Sequence, residues 1–258
     1  VTSPSATSGP PRFEVDGRIA RVVLDRPERH NAIEAEDVAR FLDHLDEVEG
    51  NPEVRVLVLT ATGPATFSAG ASLRQLESGE LTGARFEALA DRLASVRVPT
   101  VCALNGSAFG GGAELALCCD FRIGVHGSRV AVPAARLGLC YPASGLRRYV
   151  EALGLGVATR LLVGAEELDA EGMLATGFVH RLVSPEELEA VTDALATELA
   201  ALAPLAVQAM KRILREAARG VLDARAAERL VEATLRSRDF AEGLRARREG
   251  RPPDFRGT

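Results

Sequence analysis

Apolar positions fall in short blocks through the first half of the chain and settle into helical spacing through the second. Residues 12–15 and 19–25 are two β-prone runs on either side of Asp16-Gly17, a pair suited to a tight hairpin. Residues 34–48 repeat apolar side chains at helical intervals through Val38, Phe41, Leu42 and Leu45. A continuous apolar block at 54–60 predicts a buried strand, 85–96 a second helix, and 100–104 a strand that ends at the Asn105-Gly106 turn. Glycines then open a helix that runs through Cys119, and 121–125 predicts a further strand. This alternation predicts an α/β core with helices covering sheets. From residue 146 strands nearly vanish. Helices are predicted over 143–153, 156–163, 185–201, 205–218 and 223–238, with the apolar stretch at 179–183 as the exception. Their apolar faces need a partner surface, either this chain's core or neighbouring subunits. No internal linker or repeat breaks the pattern, so the expected organisation is a tail over 1–11, a core over 12–200 and a helical region over 201–258.

Composition narrows the partners. A chain of 258 residues, 47% hydrophobic and 26% charged, has the make-up of an ordinary globular protein. It can bury about three quarters of its unfolded surface. No apolar run approaches the roughly 20 residues of a membrane span. Residues 1–11 are mostly Ser, Thr, Pro and Gly, without the basic start and apolar stretch of a signal peptide, and are expected to be disordered. A net charge of −5 argues against nucleic acid as a main partner. The basic cluster at 245–251 is either a solvated helix end or a hold on ligand phosphates. Cys102, Cys118, Cys119 and Cys140 show no zinc-ligand spacing and suit small apolar residues in a reducing compartment, for which the cytoplasm fits best.

Two stretches carry chemistry. One is the small-residue loop Phe67-Ser68-Ala69-Gly70-Ala71-Ser72-Leu73; the other is Asn105-Gly106-Ser107-Ala108-Phe109-Gly110-Gly111-Gly112-Ala113-Glu114-Leu115. Three glycines entering a helix let backbone approach a ligand closely and leave first-turn N–H groups unpaired. The positive end of the helix then suits a developing anion. A second N–H from the Gly70-Ala71 loop would complete a two-donor oxyanion hole, with Glu114 one step along the same helix. Taken singly, a glycine run is often only a tight turn, and a first-turn glutamate often serves only the helix dipole. Neither stretch is a dinucleotide or P-loop fingerprint. His30, His44, His126 and His180 are scattered, pair with no nucleophile motif, and are expected to be surface or structural residues. Ser72 and Ser144 are candidates to face a ligand.

Together the two stretches resemble the paired signatures of the enoyl-CoA hydratase/isomerase (crotonase) superfamily. Flanking matches continue the resemblance in order: Arg26-Pro27-Glu28-Arg29-His30-Asn31-Ala32, Cys119-Asp120, Arg136-Leu137-Gly138-Leu139, Gly177-Phe178-Val179, Ser184-Pro185-Glu186-Glu187-Leu188, Pro204-Leu205-Ala206 and Arg238-Asp239-Phe240-Ala241-Glu242-Gly243. The resemblance implies a spiral of β-β-α turns with a C-terminal helical region that builds trimers, often paired into hexamers. It implies an acyl-CoA thioester whose carbonyl oxygen sits between the N–H groups of Ala71 and Gly111, near Gly110 and Gly112. The adenine end of CoA would lie by Asn31, Ala32 and the loop of Ala69, Gly70, Ser72 and Leu73. No metal, nicotinamide or flavin is implied; CoA belongs to the substrate.

The departures bear on the reaction. Hydratases of this family activate one water with two glutamates. Glu114 matches the first, but Ala134 stands where the second is usual. Hydration is then expected to be weak, and Ala134→Glu to raise it. Ser72, Arg247 and Gly250 also replace a usual aspartate, phenylalanine and lysine. Tyr141, in Leu137-Gly138-Leu139-Cys140-Tyr141-Pro142, stands where hydratases commonly have proline, and is either catalytic or a loop aromatic packed on the core. Here the chain is similar to methylmalonyl-CoA decarboxylases of the same family, although Ala71 stands in place of their histidine. The leading expectation is hydration or isomerisation of an enoyl-CoA through an enolate. The alternatives are decarboxylation of a malonyl-CoA-type substrate and a catalytically weak CoA-binding paralogue.

Overall fold

The computed structural model describes residues 8–258. It is a spiral of β-β-α turns that feeds two sheets. The entry hairpin pairs β1 (Gly9–Asp16) with β2 (Ile19–Asp25), and α1 (Ala35–Gly50) follows. Three turns then repeat: β3 (Val56–Ala61) and β4 (Thr66–Ser68) lead through short α2 (Leu73–Ser78) to α3 (Gly83–Ser95). Next come β5 (Thr100–Leu104), β6 (Ser107–Phe109) and α4 (Gly111–Cys118), then β7 (Phe121–Val125), β8 (Arg129–Ala131) and α5 (Ala143–Leu162). The first strand of each turn joins a six-stranded sheet in the order β1-β2-β3-β5-β7-β10, closed by β10 (Arg181–Val183). The second strand of each turn joins a four-stranded sheet in the order β4-β6-β8-β9, closed by β9 (Glu167–Asp169). Within the six-stranded sheet, every pair beyond the hairpin is parallel.

Strand periodicity divides the core. Leu57, Leu59, Cys102 and Leu104 face the spiral interior with α1, α3 and α4. Their neighbours Val56, Val58, Val101 and Ala103 face the other way, with Ile123 and Val125, against Leu188, Ala196 and Ala200 of α7 (Leu188–Ala200). Burial on both faces is why β3 and β5 are continuous apolar blocks rather than alternating ones.

After α6 (Ala170–Ala175) and α7, the chain ends in α8 (Pro204–Ala218), α9 (Ala224–Leu235) and α10 (Arg238–Glu249). Asp120 ties α8 to the sheet, accepting from the Thr100 N–H (2.8 Å), Lys211 Nζ (2.7 Å) and Arg215 (2.7 Å). Yet α8 buries only Ala209 and α9 buries no residue, while Leu205, Met210, Leu214, Val231 and Leu235 are exposed. Among the described residues no single helix is long and apolar enough to cross a membrane.

Several boundaries differ from expectation. The tail expected over 1–11 lies outside the described residues as far as residue 7, whereas Gly9–Asp16 form β1, with Gly9 opposite Asp25 of β2 and an irregularity in the register before Arg12. The two helices expected over 143–153 and 156–163 are both present within Ala143–Leu162, separated by a kink at Gly154, whose φ of 75° no ordinary helical residue adopts. The second sheet went unpredicted because β4, β6, β8 and β9 have three residues each, too few to show a period.

Candidate active site

The site lies where the loop after β4 meets the N-terminus of α4. Gly70 adopts φ 83°, and a Cβ there would come within 2.6 Å of the Gly111 nitrogen and 3.1 Å of the Gly112 nitrogen. Only a glycine lets the two backbones touch this closely. Hydrogen bonds hold the loop in place. Ile33 N–H donates to the Gly70 carbonyl (2.8 Å), Ser72 N–H to the Ile33 carbonyl (2.9 Å), Ala69 N–H to the His30 carbonyl (2.8 Å) and Gly70 N–H to Ser68 Oγ (3.0 Å). This ladder makes Ala71 the lone bridge partner of Ile33, so its own N–H turns to the opposite side. On α4, Gly110 (φ 50°) donates to the Ala131 carbonyl (2.9 Å), and the first helical donor is Glu114, to the Gly110 carbonyl (3.2 Å). The N–H groups of Ala71 and Gly111 are therefore left out of the bonds that fix both backbones, and Gly70 brings their segments together. Gly112 packs on β4, where a Cβ would meet the Ser68 carbonyl at 2.4 Å. The Phe86 ring of α3 caps Gly111, 2.4 Å from where a Cβ would stand.

Glu114 is 3% exposed in the first turn of α4. Burial raises its pKa; the hydrogen bond from the Tyr141 phenol and the charge of Arg148 work against that rise, and Asp91 and Glu87 add to it. Burial, with the nearby Tyr149 and Glu114, holds the Tyr141 phenol well above its ordinary range, so it is a neutral donor. Gly145, in the first turn of α5, leaves room for this pair: a Cβ there would lie 2.7 Å from the Tyr141 ring and 3.1 Å from Glu114 Oε1. Tyr141 and the buried Tyr149 meet edge to face, with centroids 6.1 Å apart. Arg148 is 4% exposed; it reaches Asp91 at 2.8 Å and Glu114 Oε1 at 3.6 Å. Ser144 Oγ donates to Glu87 Oε1.

The structure thus brings Glu114, Tyr141, Ala71, Gly70, Gly110, Gly111 and Gly112 into one locus. Ala69 and Leu73 are exposed at the ends of the loop, and Ala71 and Ala32 are half-buried. Ser72 is buried at the start of α2. Asn31 is 1% exposed, and its side chain serves structure: it donates to the Thr62 and Thr66 carbonyls (2.9 Å each) and accepts from the Arg26 N–H (2.9 Å). Ala134 is a buried methyl in the core, at 8% exposure. In the basic cluster at 245–251, Arg245 and Arg251 both pair with Glu242, which they and their neighbours hold at a pKa of about 2. No group of three or more His, Cys, Asp or Glu is placed to hold a metal among the described residues. Sequence reasoning missed Arg148, Asp91, Glu87 and Phe86, because a charged or aromatic residue within an amphipathic helix carries no local signal of which neighbour it meets.

The family model for enoyl-CoA hydratase/isomerase matches residues 14–258. The chain belongs to that family. A carnitinyl-CoA dehydratase from Salmonella arizonae is 34% identical over 95% of this chain and 98% of its own length. A crotonyl-CoA hydratase from Syntrophomonas wolfei is 30% identical over 94% and 96%. Among solved structures, an enoyl-CoA hydratase from Mycobacterium tuberculosis superposes with a TM-score of 0.87 at 30% identity, covering 96% of this chain and 99% of that one. The spiral and its two sheets are therefore the family's fold.

Proposed function

We propose that this chain acts on acyl-CoA thioesters by making and discharging an enolate, in the hydration or isomerisation of an enoyl-CoA. The observation that carries the reading is the contact of Gly70 with Gly111. It brings together the two segments that carry the uncommitted N–H groups of Ala71 and Gly111, with the Glu114 carboxyl in the first turn of the same helix as Gly111. A thioester oxygen between those N–H groups gains charge as the enolate forms, and fixed donors stabilise that charge without reorganising. Glu114 moves the proton at the α-carbon, and Tyr141, as a neutral donor, holds the carboxyl in place. The relatives named above carry names of hydration and dehydration, which favours that chemistry over the decarboxylation Tyr141 and Ala134 suggested. CoA enters as part of the substrate, with no separate cofactor. The exposed apolar rows of α8 and α9 support assembly into a trimer or a dimer of trimers. Four free thiols, three of them buried, suit a reducing compartment such as the cytoplasm.

The test is exchange of the α-protons of butyryl-CoA in D2O, followed by mass spectrometry. The step needs the hole and Glu114 and no water addition. Exchange that disappears in Glu114→Gln supports the reading; a folded wild-type protein that binds the thioester without exchange sinks it. Turnover of a panel of enoyl-, 3-hydroxyacyl- and malonyl-type thioesters then separates the reactions.

A further inference from the structure

We propose that Glu87 is the second carboxylate of this site, serving the water of hydration while Glu114 serves the α-carbon. The inference rests on the enolate reading above and assigns a residue to the role left open by Ala134.

Three placements carry it. Glu87 follows Phe86 on α3, and the Phe86 ring lies over Gly111, so this turn of α3 forms the wall beside the candidate oxyanion hole. Glu87 Oε1 accepts a hydrogen bond from Ser144 Oγ. Ser144 in turn precedes Gly145, whose Cα faces both the Tyr141 ring and the Glu114 carboxylate. Glu87 is thus one residue along α3 from the ring that lies over Gly111, and bonded to the residue that precedes the glycine facing the Glu114–Tyr141 pair. The charge of Glu87 is among those felt by Glu114, as an opposing carboxylate's would be.

Its partnership also sets it apart from the acid one turn later. Asp91 is committed to the buried guanidinium of Arg148 at 2.8 Å. Among the described residues, Glu87 has one polar partner, the neutral Ser144 hydroxyl, and no ion pair. It is half-buried, open enough for water to reach. Glu87 therefore has no fixed cation beside it, whereas Asp91 does.

The reaction balances with this pair. The water oxygen bonds to the β-carbon as Glu87 takes one of its protons, and the C=C electron pair moves onto the thioester oxygen in the hole. The enolate collapses by forming a C–H bond at the α-carbon with the proton held by Glu114. The product has gained H and OH. Glu87 then holds a proton and Glu114 none, and proton transfer through water between them restores the starting pair. Burial, which raises the pKa of Glu114, suits that residue to the donor's part.

The experiment reads two rates on each protein: hydration of crotonyl-CoA and α-proton exchange of butyryl-CoA. Their ratio is independent of the folded fraction. In Glu87→Gln the ratio of hydration to exchange should fall by about 10² or more, the contribution of a placed general base. Glu87→Asp should fall less, and Glu114→Gln should lose both activities. The double variant Glu87→Gln/Ala134→Glu, which offers a carboxylate at the usual position, should recover part of the ratio. A ratio unchanged in Glu87→Gln overturns the inference, as does wild-type protein that exchanges but does not hydrate; both leave the enolate reading standing. Wild-type protein that does not exchange overturns that reading itself.

Discussion

Gly70→Ala puts the proposed oxyanion hole under the most direct strain. Gly70 sits at φ 83°, and its added methyl would lie 2.6 Å from the Gly111 nitrogen, 2.7 Å from the Phe109 carbonyl oxygen and 3.1 Å from the Gly112 nitrogen. All three neighbours are backbone, so no side chain can swing aside; the loop and the start of α4 must part. Two costs follow. The positive φ alone costs an alanine about 1–3 kcal/mol. At about 2–4 °C per kcal/mol for a chain of this size, that lowers Tm by roughly 2–12 °C. The separation also carries the Ala71 and Gly111 donors off the thioester oxygen, and losing one such donor costs about 10² to 10³ in kcat. Gly17→Ala is the matched control. Gly17 has φ 55°, but nothing lies within 4 Å of its would-be Cβ, and it turns the entry hairpin. It should lower Tm by the strain alone and leave activity per folded molecule intact. The assay is butyryl-CoA exchange normalised to folded protein by circular dichroism. Exchange per folded Gly70→Ala molecule equal to that of Gly17→Ala would place the thioester oxygen elsewhere.

Three further outcomes are expected. Because burial raises the folded-state pKa of Glu114, the ionised side chain weakens the fold as pH rises through that pKa; the Tm of Glu114→Gln should therefore gain on wild type from about pH 4.5 upward, and a flat difference in a pH series of thermal melts would show the carboxylate is not desolvated. Burial alone would raise the pKa of Asp120, but Lys211 and Arg215 outweigh it and bring the pKa below its ordinary value, so Asp120→Asn should cost about 3–5 kcal/mol at neutral pH by stranding those cations. That cost should shrink as pH falls through the depressed pKa, and urea melts at pH 7 and pH 3 that give equal differences would refute it. Light scattering at micromolar concentration should give the mass of a trimer or of two trimers, since apolar residues of α8 and α9 are left exposed among the described residues; a monomer would refute it.

What the sequence disclosed followed from how narrowly physics constrains each feature. β3 and β5 were legible as apolar blocks because both their faces are buried. The loop at Gly70 and the start of α4 were legible because backbone donors need glycine, and glycine is visible in a sequence. α10 was not separated from the helical region expected over 201–258 because its residues are largely charged, and its buried members include Asp239 and Glu242, acids that accept from backbone N–H and guanidinium donors instead of forming an apolar stripe. Asn31 shows a different case. It stands in a motif that resembles a ligand contact, and its side chain is taken up in closing the turn that carries the motif.

The acids show why a family pattern is a better guide to the hole than to the proton chemistry. An oxyanion hole made of backbone N–H groups depends on two chain segments crossing in one geometry, so its sequence trace stays in register with the fold. A carboxylate can reach the same space from any wall of the cavity. Ala134 occupies the position where the family pattern has its second acid, and its methyl is buried in the core. Glu87 instead stands on α3 with a serine as its partner. Along the sequence it is one more charged residue on an amphipathic helix, indistinguishable from Asp91 four residues later, which the structure commits to Arg148. Only the pairing separates them: one acid is fixed to a guanidinium and the other to a hydroxyl. The number of acids available to this site is therefore set by which helix faces pack together, and a substitution at Ser144 that put a cation beside Glu87 should suppress hydration as thoroughly as removing the carboxylate.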